Sequence, residues 1–343
     1  MRIHLLHILV LIAMLLAFTG CGMASSSSRS PSGATHHATR VRLQRASLVL
    51  DWYPNSDHGG LYIAMQRGMF RRQGIAMSVH VPSDTSAQIE LVGSGHADFG
   101  ISYETDLLAA RAHRIPVQSV MCIMQHPLDT VMALRSSGIT RPRDLAGKTI
   151  GMAGAPSDSS MVKAMMADDG SSISRSRLVT VGYSLSKVLL TKRVDAVVGV
   201  YWTWEAIQAR MLGYPVNVLR VERWGVPNYC ELVLVANERT IRTRPAYVRN
   251  VVQAMQQGYA YAEAHPQSAW LALHAQDKTL DRGLVLRSLQ LLRPIVTTAP
   301  TIGYQSLAQW RHYARWLAAN HLIDEPVDAS RAFTNRFLAP GVT

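Results

Sequence analysis

The residues best suited to chemistry lie in the stretch 200–205, which reads Val-Tyr-Trp-Thr-Trp-Glu. It places three aromatic rings and one carboxylate together in a chain that is only 7% aromatic. Aromatic faces can hold a flat ring, and a carboxylate accepts hydrogen bonds from ring N–H or amine groups. Trp202, Trp204 and Glu205 are therefore candidates for binding a small planar heterocycle that carries an amine. Core tryptophans beside a helix-capping or surface glutamate are the competing interpretation.

The elements that must position this stretch have the pattern of an α/β protein. Residues 193–199 form an apolar, β-branched run that ends at a glycine, which predicts a buried strand. Near the start, 47–52 and 76–81 are predicted strands, and 61–72 is a predicted helix between them. Such βαβ units place ligands at the carboxyl ends of the strands. The aromatic stretch is therefore expected at the edge of a cleft.

An internal echo predicts two lobes of similar construction. Residues 95–102 and 192–199 each contain a turn, an aspartate that opens a buried strand, and a glycine near the strand end. We expect Asp98 and Asp195 to hold turns or strand starts rather than to do chemistry. Both strands would end at a shared cleft.

The chain between and after the lobes supplies crossings and helices. Residues 123–134 and 232–236 are predicted to cross between the lobes. A glycine- and serine-rich loop over 154–160 precedes a predicted helix at 161–166, where free N–H groups could meet an anion. The loop lacks the lysine of a nucleotide-binding loop, and Ser157 or Asp158 as a helix N-cap is the favoured interpretation.

The C-terminal part has a helical pattern and is expected to pack on the first lobe. The predicted helices are 247–265, 268–274, 281–292 and 307–320. Trp270, Trp310 and Trp316 lie in these segments at helical spacing and are predicted to be core residues.

The first residues indicate where the protein works. Arg2 is followed by an apolar run from Leu5 to Phe18 and then by Thr-Gly-Cys21, the pattern of a bacterial lipoprotein signal. We predict lipidation of Cys21, with plain secretion or an uncleaved anchor as alternatives. Phe18 departs from the usual lipoprotein signal, which has Leu or a similar aliphatic residue at this position. The serine-rich segment that follows predicts a flexible tether to the folded body.

Charge and cysteine content narrow the function classes. The formal net charge is +12, from 30 Arg and 5 Lys among other groups, and the arginines are scattered. Because the chain is predicted to be exported and its arginines are scattered, nucleic-acid binding is disfavoured, and attraction to an anionic membrane surface is favoured. Cys122 and Cys230 could form a disulfide, but their spacing does not establish one. No Cys or His cluster has metal-ligand spacing, so no metal is predicted.

Five segments together resemble one family. They are Asp-Trp-Tyr-Pro-Asn at 51–55, Gly-His-Ala-Asp-Phe-Gly-Ile-Ser-Tyr at 95–103, Gln-His-Pro-Leu at 125–128, Asp-Leu-Ala-Gly-Lys at 144–148 and Tyr-Trp-Thr-Trp-Glu at 201–205. The chain, over about 46–300, resembles the ThiY-type solute-binding proteins of thiamine-precursor ABC transporters. These share a fold with fungal enzymes that make the thiamine pyrimidine. The first and last segments are the most specific.

The resemblance implies a fold, a ligand and a set of binding residues. The fold is the two-lobed α/β fold of type II periplasmic binding proteins, with two hinge crossings and a cleft between the lobes that binds an aminopyrimidine. The implied ligand-binding residues are Trp52, Asn55, His58, Ser102 and Tyr103 from the first lobe, and Trp202, Trp204 and Glu205 from the second.

The enzyme branch of the family uses a histidine and a lysine of the first helix region with pyridoxal phosphate, and it carries a cysteine-rich motif. Here 61–72 has no lysine, and the cysteines are isolated. A Schiff base needs a lysine amine. We therefore predict no catalytic residue and no cofactor.

The sequence thus predicts a monomeric, extracytoplasmic lipoprotein that captures a thiamine-related aminopyrimidine and delivers it to an ABC transporter permease. The predicted division is a signal peptide at 1–20, a tether at 21–45, a first lobe at 46–132 and 233–343, and a second lobe at 133–232. Two alternatives stay open. One is a pyrimidine-synthesising enzyme of the same fold that uses pyridoxal phosphate, and the other is a binding protein for a sulfonate or another small solute.

Overall fold

The computed structural model describes residues 42–297, 300–323 and 327–342. The predicted signal peptide, Cys21 and most of the predicted tether lie outside the described residues. Within the described residues the strands are β1 Gln44–Val49, β2 Ile75–His80, β3 Phe99–Ser102, β4 Val117–Met124, β5 Asp129–Leu134, β6 Thr149–Met152, β7 Arg177–Thr180, β8 Ala196–Tyr201, β9 Val216–Arg220 and β10 Leu232–Asn237. β1 begins inside the segment 21–45 that was predicted to be tether.

The α-helices alternate with these strands and then follow them. They are α1 Gly59–Gln66, α2 Met69–Arg72, α3 Gln88–Gly93, α4 Glu104–Ala112, α5 Pro156–Asp168, α6 Leu185–Leu190, α7 Glu205–Met211, α8 Glu238–Thr243, α9 Pro245–Ala264, α10 Pro266–Gln276, α11 Arg282–Val296 and α12 Leu307–Ala319. Among the described residues, none of these helices is both long and apolar enough to span a membrane.

The strands form two five-stranded sheets with the same plan. The first has the order β2-β1-β3-β10-β4 and the second the order β7-β6-β8-β5-β9. In each sheet the first three strands are parallel, and the fourth, which crosses over from the other half of the chain, is antiparallel to both neighbours. We call the first sheet with its helices the first lobe, and the second sheet with its helices the second lobe.

The similarity between the segments 95–102 and 192–199 has a common structural cause. The Asp98 carboxylate, just before β3, accepts a 3.0 Å hydrogen bond from the Ser47 amide in β1. The Asp195 carboxylate, just before β8, accepts a 2.8 Å hydrogen bond from the Thr149 amide in β6. Each aspartate therefore satisfies a backbone donor of the neighbouring strand, and the predicted structural role of this pair is confirmed.

Two local predictions were wrong. The predicted helix 61–72 is two helices, because Gly68 takes a left-handed backbone with φ 66° between α1 and α2. The predicted loop over 154–160 ends early, because α5 begins at Pro156, a residue whose fixed φ favours the first helical turn. Ala155 is the N-cap of α5, and the Asp158 carboxylate instead accepts a 2.8 Å bond from the Gly154 amide.

The C-terminal helices pack on the first lobe, as predicted. α9 crosses α1 so closely that a Cβ on Gly258 would overlap the Gly60 carbonyl. Apolar side chains of α9, α10 and α11 share one buried cluster with the first sheet. Trp310 of α12 is fully buried, whereas Trp270 and Trp316 are partly buried against the two main clusters.

The two crossings between the lobes contact each other. The Glu231 carboxylate, at the end of the second crossing, accepts hydrogen bonds of 2.7 and 3.0 Å from the Leu128 and Asp129 amides at the end of the first. Beside it, Cys230 forms a disulfide with Cys122 of β4. The sequence had left this pairing open. The disulfide fixes the second crossing to the first sheet.

The predicted lobe boundaries stay a prediction. β5 pairs with β8 and β9 of the second sheet, yet the predicted boundary at 132/133 cuts this strand. The predicted boundary at 232/233 likewise cuts β10 after its first residue. We propose boundaries between Met124 and Asp129 and just before Leu232 instead, which keep each sheet whole.

Candidate functional site

The cleft between the lobes contains a cavity of about 520 Å³, which we call the outer cavity. Its lining from the first lobe includes Trp52, Tyr53 and Asn55, and its lining from the second includes Tyr183, Trp204 and Glu205. The first group follows β1, Tyr183 follows β7, and Trp204 and Glu205 follow β8. The parallel strands thus deliver these side chains from their carboxyl ends, the usual place for ligands in α/β proteins.

Aromatic rings from both lobes meet at one wall of the outer cavity. The centroid of the Tyr183 ring lies 4.5 Å from that of Trp52 and 4.3 Å from that of Tyr53. The Tyr183 hydroxyl also donates a 2.8 Å hydrogen bond to the Pro82 carbonyl of the first lobe. Burial raises the pKa of Tyr183 to about 12, so this donor stays protonated. Tyr183 therefore bridges the two lobes at this wall.

Glu205 supplies a buried carboxyl to the lining of the outer cavity. It is 9% exposed, and its Oε2 accepts a 2.8 Å hydrogen bond from the Tyr201 amide at the end of β8. Burial raises its pKa to about 7. Near neutral pH the carboxyl can therefore exchange between an acceptor and a donor form. Trp204 is largely buried and packs against the first lobe's apolar cluster.

Asn55 and His58 form a rigid corner after β1. The His58 Nδ1 accepts from the Asn55 amide at 3.3 Å, which places the ring proton on Nε2, and Nε2 donates to Asp51 Oδ1 at 2.8 Å. The Asn55 side-chain oxygen accepts from the Asp57 amide at 2.7 Å. Only Asn55 of this corner lines the outer cavity. His58 and Asp51 are both buried and line neither cavity, so their hydrogen bond holds the corner in place.

A second, smaller cavity lies between the sheets, and we call it the deep compartment. Its volume is about 20 Å³, and its lining includes Trp52, Tyr103, Asp129, Asp158, Tyr201 and Glu231. Trp52 lines both cavities.

The carboxyls of the deep compartment are held by backbone donors. Asp129 Oδ1 accepts from the Gly199 amide at 3.1 Å, and Glu231 also accepts from the Tyr229 hydroxyl at 2.9 Å. Burial raises the pKa of Glu231 to about 7, and that of Asp129 well above its usual range. Burial likewise raises the pKa of Asp158 to about 7. These groups are therefore largely uncharged or half-charged at neutral pH.

The structure divides the predicted binding residues into three groups. Trp52, Asn55, Trp204 and Glu205 meet at the outer cavity, and Tyr103 lines the deep compartment. His58, Ser102 and Trp202 line neither. Of these, Ser102 is a fully buried residue of β3 that pairs with Val233.

Trp202 points away from both cavities. Its Nε1 donates a 3.2 Å hydrogen bond to the Pro127 carbonyl, and the Arg220 guanidinium lies 4.1 Å from the ring centroid. The chain turns after β8 ends at Tyr201, so neighbouring residues of the aromatic stretch face different ways. In this structure Trp202 contacts the first crossing, and its predicted contact with a ligand stays a prediction.

Sequence reasoning missed Tyr183, Asp129, Asp158 and Glu231 as cavity residues. Tyr183 had a usable signal, because it follows a short strand of the second lobe, where a ligand contact is expected. Glu231 had none, since its backbone partners lie about one hundred residues away, at separations of 103 and 102.

The lining does not fit pyridoxal phosphate. No lysine is present among the residues that line the two cavities, so no amine is available there for a Schiff base. The deep compartment, at about 20 Å³, is also too small for a phosphate group. In the part of the chain that the structure describes, no group of three His, Cys, Asp or Glu residues could hold a metal ion.

Comparison with known proteins agrees with this geometry. A family profile described as NMT1/THI5-like matches residues 55–269. The chain is 30% identical to the formylaminopyrimidine-binding protein of Halalkalibacterium halodurans, over 85% of this chain and 90% of that protein. It is 26% identical to the 4-amino-5-hydroxymethyl-2-methylpyrimidine phosphate synthase of Legionella pneumophila, over 86% of this chain and 92% of the synthase.

A solved structure supports the fold. The alkanesulfonate-binding protein SsuA of Xanthomonas axonopodis pv. citri matches with a TM-score of 0.68 and 16% identity, covering 84% of this chain and 98% of SsuA. The predicted two-lobed α/β fold of type II periplasmic binding proteins is confirmed by this likeness and by the paired sheets.

Proposed function

This chain belongs to the NMT1/THI5-like family, and from that premise we propose that it binds a thiamine-related aminopyrimidine and delivers it to an ABC transporter permease. The observation that carries the proposal is the outer cavity, where the Glu205 carboxyl and the rings of Trp52, Tyr183 and Trp204 converge. A carboxyl beside aromatic faces suits a flat ring that bears an amine.

The size of the outer cavity supports a small ligand. Its volume of about 520 Å³ lies within the roughly 300–1,000 Å³ typical of small-molecule sites. Stacking on aromatic rings stabilises by about 1–3 kcal/mol per base in nucleic-acid complexes. A hydrogen bond to a charged carboxylate adds about 1.5–3 kcal/mol. After the entropy of association, an affinity from micromolar to tens of nanomolar is expected, about −8 to −10 kcal/mol.

The proposed mechanism is closure of the two lobes around the ligand. Trp52 and Asn55 belong to the first lobe, and Glu205 belongs to the second. A ligand that contacts both sides stabilises the closed arrangement by its higher affinity for that state. The two touching crossings would serve as the hinge.

We propose binding without catalysis. The relative from H. halodurans is named a binding protein, and the relative from L. pneumophila is named a synthase. The choice between them rests on the lining of the two cavities, which has carboxyls and hydroxyls and includes no lysine.

A sulfonate ligand is the second candidate, because SsuA is an alkanesulfonate-binding protein. The lining of the outer cavity argues against it. Glu205, Asp277 and Asp281 line this cavity, and its described lining includes no arginine or lysine. An anion would therefore meet carboxyls and no balancing cation.

We further propose an extracytoplasmic, monomeric protein that is anchored to the membrane through a lipid on Cys21. The support is the signal pattern before Cys21 and the serine-rich stretch after it. An extracytoplasmic location is also consistent with the disulfide between Cys122 and Cys230, since such bonds persist in oxidising compartments.

The binding and enzyme functions can be separated in one experiment. The full-length chain, purified in detergent, is incubated with 4-amino-5-hydroxymethyl-2-methylpyrimidine and separately with pyridoxal phosphate. We expect the pyrimidine to be recovered chemically unchanged after saturable binding, and pyridoxal phosphate to give no Schiff-base absorbance. A Schiff-base band together with conversion of the bound cofactor would replace the binding function by the enzyme function.

A further inference from the structure

The polar side chains that line the deep compartment are carboxyls and hydroxyls, with no basic group among them. Its lining carries the carboxyls of Asp129, Asp158 and Glu231 and the hydroxyls of Tyr103, Tyr201 and Tyr229. No lysine, arginine or histidine is found among the residues that line it. Such a lining offers several oxygen acceptors and no cation, and a group with several N–H donors complements it best.

One polar group of this lining is unsatisfied. Tyr201 is 9% exposed, and its Oη is buried without a hydrogen-bond partner within the described residues. Burial and the neighbouring Glu231, Tyr103, Asp51 and Asp57 raise the pKa of Tyr201 well above its usual range, so the hydroxyl is protonated. A buried hydroxyl without a partner is unfavourable. Its position in the lining of a cavity indicates that something in the cavity completes it.

The volume limits what that partner can be. The deep compartment holds about 20 Å³, and a single water molecule needs roughly 10–15 Å³ by this kind of measure. One water-sized group therefore fits, such as an amino group, whereas a ring, a phosphate or a sulfonate does not. Trp52 lines both this space and the outer cavity, so the two spaces are neighbours on either side of one side chain.

We propose that the deep compartment is a second subsite, which receives one positively charged amino group of a ligand whose ring lies in the outer cavity. The subsite rests on the proposed function, since it assumes a ring bound beside Glu205. An ammonium group has three donors, and Tyr201 Oη with the carboxyls of Asp158 and Glu231 supplies acceptors for them. The compartment thereby selects against phosphorylated and sulfonated compounds.

The test uses three pyrimidines that differ in one substituent. All carry the 4-amino-2-methylpyrimidine ring, and position 5 bears an aminomethyl, a hydroxymethyl or a phosphorylated hydroxymethyl group. Each is titrated by calorimetry into the full-length chain in detergent at neutral pH. We expect the aminomethyl compound to bind about tenfold tighter than the hydroxymethyl compound, because its bonds are charge-assisted. The phosphate is expected to bind weakest.

A variant separates the subsite from general effects on folding. Tyr201→Phe removes a hydroxyl that has no partner in the protein, so the melting temperature should stay the same or rise. The preference for the aminomethyl compound should fall to about twofold or less, because one acceptor is lost. The matched control is Tyr247→Phe, whose hydroxyl donates a 3.2 Å bond to the Arg45 carbonyl and which lines neither cavity. The control should lower the melting temperature and leave the preference unchanged.

The outcomes distinguish the subsite from the proposed function. Equal affinity for the aminomethyl and hydroxymethyl compounds, or an unchanged preference in Tyr201→Phe, would mean that the compartment holds only a buried water. The binding function would stand in that case, because the neutral pyrimidine still binds. If none of the three pyrimidines binds, both the subsite and the proposed function are overturned.

Discussion

Glu205→Gln is expected to weaken aminopyrimidine binding while leaving the fold intact. The Glu205 Oε2 accepts the Tyr201 amide at 2.8 Å, and the carboxamide oxygen of glutamine can take over that bond. The glutamine NH₂ then occupies the place of the other oxygen and faces the ligand. A donor would oppose the ligand amine where an acceptor stood before.

The expected loss follows from this exchange. A hydrogen bond to a charged group contributes about 1.5–3 kcal/mol, which corresponds to a roughly 10- to 100-fold higher dissociation constant. The fold should not suffer, because burial raises the pKa of Glu205 to about 7 and thus opposes its charged form. Above that pH a neutral amide removes this desolvation cost, so the melting temperature should stay the same or rise.

Two measurements and one control variant test this reasoning. Calorimetry with formylaminopyrimidine gives the affinity, and thermal unfolding without ligand gives the stability. Glu104→Gln is the matched control, because Glu104 is also fully buried, with a pKa that burial raises to about 8, and accepts a 2.6 Å bond from the Cys230 amide. It lies in α4 and lines neither cavity.

The control should bind ligand within about twofold of the unaltered chain, less than the loss of one neutral hydrogen bond. An affinity of Glu205→Gln within the same twofold range would refute the assigned role of Glu205. Equal losses in the two variants would also refute it, because they would show a general effect of removing a buried carboxyl.

Three further predictions concern the whole chain. The free energy of unfolding of the unliganded protein should fall as pH rises from about 5 to 8, by up to roughly 3 kcal/mol per group. Glu205 and Asp158 have ordinary pKa values of 4.5 and 3.8, and burial raises both to about 7, so the folded state keeps protons that the unfolded chain has released. Urea unfolding across this range checks the sign, and stability that rises with pH would contradict it. Replacing Cys122 and Cys230 by alanine should lower the free energy of unfolding by about 2–5 kcal/mol, because the disulfide joins residues 108 apart. An unchanged urea midpoint would show that the bond does not stabilise the fold. Cys21→Ser should move the protein from the membrane fraction to the soluble fraction of cells that export it, and its retention in the membrane would argue against lipidation.

The sequence predicted the plan of the fold well, because that plan depends on local patterns. Apolar, β-branched runs marked β1, β2, β8 and β10 within a few residues. The repeated aspartate before β3 and β8 marked two lobes of the same construction, and both aspartates hold a neighbouring strand. Such signals lie within short segments, so one sequence suffices to read them.

The site was predicted only in part, because its geometry depends on distant residues. Trp204 and Glu205 of the stretch after β8 line the outer cavity, whereas Trp202 donates a hydrogen bond to the first crossing. Period-two alternation ends where a strand ends, so the pattern could not tell which ring faces the cleft. The carboxyls of the deep compartment come from segments that are distant in sequence and are brought together where the two crossings contact each other. No local sequence pattern predicts that contact.

The helix boundaries show the same limit on a smaller scale. Gly68 interrupts the predicted helix 61–72 through its left-handed backbone, although its apolar spacing continues. Pro156 starts α5 inside a stretch whose glycine and serines predicted a loop. In both places a single residue with a special backbone preference outweighed the surrounding pattern.

The most direct measurement is a calorimetric titration of the full-length chain with formylaminopyrimidine and, in parallel, with taurine and a longer alkanesulfonate. The geometry of the outer cavity predicts one molecule of the pyrimidine bound per chain, with a dissociation constant of about 1 µM or tighter, and no measurable heat from either sulfonate. Binding of a sulfonate without binding of the pyrimidine would contradict the proposed function and would leave Trp204 and Glu205 as structural residues.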